Sequence, residues 1–209
     1  MQAFLAKNIC GRFYRAAAPN DNLRAMCAKR PHRRKPNAHR SPPAAATEGV
    51  RVRRHGDAWE LVHPPCARDR AEDLEEVERM IAAGEYDVAI DELRWLIEGC
   101  SEFIQAHRLL GELALVAEDT PLARAHFGVA YDLAARSLAA SGWPVPLPYR
   151  LEANRAFFEA GKGLVWCLGQ LGKEELRSQV IVRLLACDPS DPLGLNELGQ
   201  ESAGGCGEE

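Results

Sequence analysis

Between residues 68 and 198, apolar side chains recur at three- and four-residue spacing, with polar residues filling the other positions. "RAEDLEEVERMIAAGEY" places Leu74, Val77, Met80 and Ile81 on one face, which predicts an amphipathic helix. Its acids fall early, where the helix dipole favours them, and Gly84 supplies a left-handed stop. A second helix carries Ala89, Leu93, Leu96 and Ile97 and runs to Glu98. "SEFIQAHRLLGELALVAED" makes a third and "TPLARAHFGVAYDLAARSLAA" a fourth, with Thr120 as its expected N-cap and Pro121 in its first turn. The prolines of "SGWPVPLPYR" break the pattern. "EANRAFFEAGKGLVWCLGQLG" and "KEELRSQVIVRLLACDPSDP" then restore it.

Upstream the periodicity changes. "VRVRRHGDAWELVHPP" alternates Val50 and Val52, then Trp59, Leu61 and His63, around a Gly-Asp turn. That pattern predicts a small β-hairpin over residues 49–66. Two strands alone are barely stable in water, so the hairpin is expected to lean on the helices through Trp59 and Leu61. Before it, "KRPHRRKPNAHRSPPAAAT" has no apolar period and is rich in Arg and Pro, which predicts disorder across residues 1–48. At the start of that tail, Phe4, Leu5, Ile9 and Phe13 share a helical face among basic residues and no acid. That composition fits an organelle-targeting presequence; the alternatives are an upstream extension without consequence or a true start at Met26. Residues 199–209 read as a short flexible tail.

Helices that come in pairs invite a test for an internal period. Tyr86, Ala89, Leu93 and Leu96, shifted by 34 positions, fall on Thr120, Ala123, Phe127 and Ala130, and Val77 falls on Gly111. With Leu110-Gly111, Ala123, Phe127 and Ala130 in place, the chain resembles the tetratricopeptide repeat, a helix-turn-helix unit of about 34 residues. The unit around residues 104–137 carries the pattern best. The one around 70–103 keeps Gly84, Tyr86 and Ala89 but has Glu76-Val77 where Leu-Gly is usual. A third, less regular unit ends in "LLACDPSDP", with Gly172 stopping its first helix and Arg177 where a small Ala is usual. The expected fold is therefore an all-α stack of about three such repeats within residues 68–198, with the hairpin shielding its front and "LGLNELG" its back.

The resemblance also implies a function. In this family the first helix of each repeat lines a concave groove that takes an extended peptide or a helix of another protein. Carried over by position, the groove would be lined by Leu74 and Glu78, then Arg108, Glu112 and Leu115, then Lys162 and Trp166. Arg108 and Lys162 stand where some relatives hold a basic residue against a peptide carboxylate, but the asparagines of the full clamp are missing. Each charged position also reads as a solvated helix face. Trp166 reads equally as an interface anchor or as core. The insertion "GWPVPLP" reads as a stiff connector or as a polyproline ligand.

Charge and composition narrow the choice. The net charge of −4 conceals ten Lys/Arg against one acid in residues 1–47, and sixteen Lys/Arg against twenty-nine acids beyond. A basic arm on an acidic body keeps a second reading open, a nucleic-acid-associated protein that binds through "KRPHRRKP". That segment lacks interleaved aromatics for base stacking. "AGKG" and "LGKEE" lack the other residues of a phosphate-binding loop, and neither GxSxG nor HExxH occurs. His63 and Cys66 in "HPPC" are two ligands, too few for zinc. No catalytic residue, metal or cofactor is therefore assigned. Seven scattered cysteines without a CxxC pair read as reduced thiols, and with no apolar run of about 18–20 residues the expected location is the cytoplasm, an organelle being the alternative.

Overall fold

The computed structural model describes residues 49–200, so the expectations for residues 1–48 and for 201–209 lie outside it. Among the described residues two strands precede eight helices. β1 is Arg51–His55 and β2 is Ala58–Val62; α1 is Pro65–Arg68, α2 Ala71–Ala83, α3 Tyr86–Gly99 and α4 Ile104–Val116. They are followed by α5 Thr120–Ala140, α6 Glu152–Gln170, α7 Glu174–Cys187 and α8 Leu195–Gln200. The expected mostly helical body with a small antiparallel hairpin ahead of it is what the chain forms.

The helix pairs α2/α3, α4/α5 and α6/α7 are joined by the same turn. Gly84, Glu118 and Gly172 take left-handed φ values of 82°, 58° and 65°. In each turn that residue's N–H donates three residues back, and the next N–H donates five residues back: Glu85 to Met80, Asp119 to Ala114, and Lys173 to Leu168. This is the Schellman arrangement, which satisfies carbonyls that a helix end would otherwise leave open. The first two turns lie 34 residues apart and the last two 54 apart. The extra length lies in α5, in the loop after it and in α6, each longer than its counterpart in the preceding pair. The N-cap of α5 is Asp119, whose carboxylate accepts from the Leu122 N–H at 3.0 Å. The expected cap Thr120 is instead the first helical residue, because the capping oxygen must sit one residue earlier to reach that N–H.

Among the described residues packing divides into two cores. A smaller front core joins Ala67 of α1, Val77 and Ile81 of α2, Ala89, Leu93 and Leu96 of α3, and Leu109 and Leu113 of α4. A larger rear core gathers the other face of α4 with α5, α6, α7, α8 and the hairpin. At its centre the Phe127 ring lies between two glycines. A Cβ on Gly111 would come within 2.7 Å of that ring, and one on Gly163 within 2.6 Å. Only glycine lets α4 and α6 approach the ring this closely.

The hairpin departs from expectation in where it docks. β1 lies on α5 and β2 on α6, so it packs beside the middle of the helical array instead of across its front. The cause is local. Leu61 fits the rear core, and Asn154 of α6 offers β2 a ready-made hydrogen-bond partner: its Oδ1 accepts from the Leu61 N–H at 2.9 Å and its Nδ2 donates to the Trp59 carbonyl at 3.1 Å. The proline-rich loop completes that edge, its Pro146 carbonyl accepting from the Trp59 N–H at 2.8 Å. The loop then anchors on the end of α7, through Leu147 N–H to the Cys187 carbonyl and Tyr149 N–H to the Asp188 carboxylate. At the back, α8 does pack on α6 and α7.

The cysteine reading also needs correction. Cys66 and Cys100 form a disulfide, their Cα atoms 5.6 Å apart, tying α1 to the end of α3. They are 34 residues apart in sequence, and folding of the α2/α3 pair brings them together. Cys167 and Cys187 are free and buried, and burial pushes their thiols up to about 12 and about 11.

Candidate partner-binding face

α2, α4 and α6, the first helices of the three pairs, each send a carboxylate toward one guanidinium. Arg108 of α4 donates from Nη1 to Glu112, one turn along the same helix. Its Nε lies 3.3 Å from Glu159 of α6, and its Nη2 lies 3.8 Å from Glu78 of α2. The Arg108 and Glu112 side chains retain only 12% and 14% of their exposure, against 33% for Glu159 and 37% for Glu78. The cluster is thus a nearly closed floor with two more open carboxylates at its sides. Tyr149, from the proline-rich loop, donates its hydroxyl to Glu159 at 2.9 Å and holds that carboxylate in place. Arg155 stands over the Tyr149 ring at 6.0 Å.

Burial by itself would lower the Arg108 pKa, but the fields of Glu112, Glu159 and Glu78 outweigh it and raise it, and the guanidinium is charged. Glu112 is pushed up, first by burial and then by its two neighbouring carboxylates, with Arg108 only partly compensating. Three carboxylates against one guanidinium leave a formal charge of −2 on the cluster. Neither Arg108 nor Glu112 is left as an isolated buried charge, yet the group as a whole is short of positive charge.

The other expected positions divide between surface and core. Leu74 is half-buried on α2 beside the front core. Leu115 retains 8% exposure and belongs to the rear core, because α4 is packed on both sides. Lys162 is half-buried one turn beyond Glu159. Burial lowers its pKa, while Asp191 and Glu197 at the α8 end oppose that shift. Trp166 follows one turn later, half-buried against the rear core, with its indole N–H enclosed and without a hydrogen-bond acceptor among the described residues. Arg108 and Lys162, expected as equivalent cations, therefore differ: the protein's own acids already surround Arg108. Glu159 and Tyr149 escaped the sequence reading. Glu159 was legible in principle, since it shares a helical face with Lys162 and Trp166. Tyr149 was not, because only the folded loop brings it there.

The histidines are structural in their surroundings. His63 Nε2 meets the Ala153 carbonyl at 2.9 Å, and burial lowers its pKa. The His107 and His126 rings lie 6.0 Å apart; burial, then His107 and Arg94, depress His126 to about 4. Among the described residues no group of three or more His, Cys, Asp or Glu is placed to hold a metal, and no helix is long and apolar enough to cross a membrane. No family model matches this chain, and neither a curated protein nor a solved structure matches it.

Proposed function

We propose that the chain is a tetratricopeptide-like helical repeat protein that catalyses nothing and binds another protein along the face formed by α2, α4 and α6. The observation that carries this reading is the Arg108 cluster, built from one carboxylate on each of those three helices. The three like turns and the 34-residue echo of Ala89 and Leu93 in Ala123 and Phe127 support the repeat part of the reading. The surplus negative charge supports a basic partner: a Lys or Arg side chain on an incoming helix or extended segment would complete the cluster, with Trp166 beside it as an apolar anchor. The carboxylate-clamp role implied for Arg108 by the resemblance is the weaker choice, since a partner's carboxylate would enter a site already holding three. Nothing described favours the nucleic-acid reading, because "KRPHRRKP" lies outside the described residues. The disulfide removes the support that the cysteines lent to a reducing compartment.

An array of synthetic peptides of varied net charge tests the reading. Binding is expected to be enriched among basic peptides and to fall at least tenfold, roughly 1.4 kcal/mol, for the Glu78→Gln/Glu112→Gln double variant. Equal retention of acidic and basic peptides, unchanged in that variant, would remove the groove from consideration.

A further inference from the structure

A second surface lies at the other strand of the hairpin. In the pairing of β1 with β2, Arg54 stands opposite Trp59 and Val52 opposite Leu61. The N–H groups of Trp59 and Leu61 point away from β1, to Pro146 and Asn154. By the alternation of an antiparallel ladder, the N–H and C=O groups of Val52 and Arg54 then point away from β2. At Val50, the preceding outward position, both groups are occupied: the N–H donates to Glu102 at 2.9 Å and the carbonyl accepts from the Ser137 hydroxyl at 2.8 Å. At Val52 and Arg54 no described residue pairs with the outward groups. An open cleft of about 570 Å³ lies between β1 and α5, bordered by Val52, Leu133, Arg136, Ala140 and Ser141.

We infer that β1 accepts an acidic, extended segment of a partner protein as a third strand. Exposed strand edges are templates for such addition, with main-chain hydrogen bonds supplying affinity and alternate side chains supplying specificity. The side chains choose the occupant. Arg54 on the strand and Arg136 across the cleft make this edge basic, each guanidinium donating to a backbone carbonyl. The carboxylates of Glu60 and Glu102 are already engaged by Arg53 and by Val50. On an added strand, the set of alternate side chains on the α5 side would stand beside Arg54 and Arg136 and suit Glu or Asp. The other set would lie on the face of Arg51 and Arg53, where Glu60 already pairs with Arg53, and suit small uncharged residues such as Val. The chain's own preceding residues carry the opposite preference, with ten Lys/Arg in residues 1–47. This surface is independent of the Arg108 face and selects the opposite charge.

Amide hydrogen exchange on the full chain is the test, with an eight-residue peptide alternating Glu and Val as the probe. The Val52 and Arg54 amides are expected to slow at least tenfold when the peptide is added, while the helices do not change. A Lys/Val peptide and a Glu/Val peptide N-methylated at alternate amides should both fail to slow them. Arg136→Glu, on the surface of α5, should weaken the Glu/Val peptide and leave the fold intact. The inference is overturned if these amides stay fast at millimolar peptide or if the Lys/Val peptide protects them equally. It is also overturned if they are already slow in the free full chain, which would mean that the edge is covered by the protein itself.

Discussion

Asn154 and Arg108 are two polar side chains set at junctions of the helical body, and they are built on opposite terms. Asn154 is fully buried and neutral. Its amide accepts from the Leu61 N–H and donates to the Trp59 and Pro148 carbonyls, at 2.9 to 3.1 Å. Nothing is left over, so its task ends with fixing the hairpin and loop on α6. Arg108 sits at a comparable junction of three helices, but its partners outnumber it three carboxylates to one. A satisfied polar node reads as architecture, whereas a node with surplus charge beside open side chains reads as a place for something to bind.

The largest effect is expected where removal leaves charge behind. Arg108→Met places three carboxylates together with no cation and should cost about 3–5 kcal/mol in denaturant unfolding at neutral pH. That cost should shrink as the pH is lowered and the carboxylates protonate; a pH-independent loss would mean that packing, not charge, was removed.

Asn154→Ala comes next, at about 3 kcal/mol, since it strands the Leu61 N–H and the Trp59 carbonyl, while the Pro148 carbonyl keeps the Leu151 N–H. The same variant should speed amide exchange in β2 before the front core responds, whereas a uniform change across α2 and α3 would show that the hairpin is not held separately.

A smaller effect concerns pH. The raised pKa of Glu112 means the folded state holds this proton more tightly than the unfolded one, so stability falls as pH rises through the elevated folded value. Titrating unfolding free energy against pH should show that decline in the wild type and a flatter curve in Glu112→Gln. His126 works in the opposite sense. With its pKa depressed to about 4, stability is full above its ordinary value of 6.5 and is lost as pH falls toward 4.

The contrast also explains what was legible in the sequence. Helix positions were, because Val77, Leu93, Phe127 and Leu184 repeat an apolar face and Gly84 and Gly172 stop helices by their backbone freedom. The third such stop, Glu118, carries no glycine, and it became visible only as a left-handed residue in the fold. Arg108 with Glu112 was legible as a pair one helical turn apart, while Glu78 and Glu159 join it only through packing. Asn154 was invisible: an asparagine early in a helix looks like a surface residue until β2 lies across it. The Cys66–Cys100 link escaped for a similar reason, since 34 residues of helix and turn separate two cysteines that the α2/α3 pair then brings together.

The most direct measurement is a calorimetric titration, at low and at moderate salt, of a basic peptide selected on the array against three proteins: the wild type, Glu78→Gln/Glu112→Gln and Asn154→Ala. The predicted result is salt-sensitive binding that drops at least tenfold in the double glutamine variant while its melting temperature stays close to wild type, and that persists in Asn154→Ala below its lowered melting point. Affinity that survives the glutamine substitutions, or that is lost only with Asn154, would contradict a binding role for the Arg108 cluster.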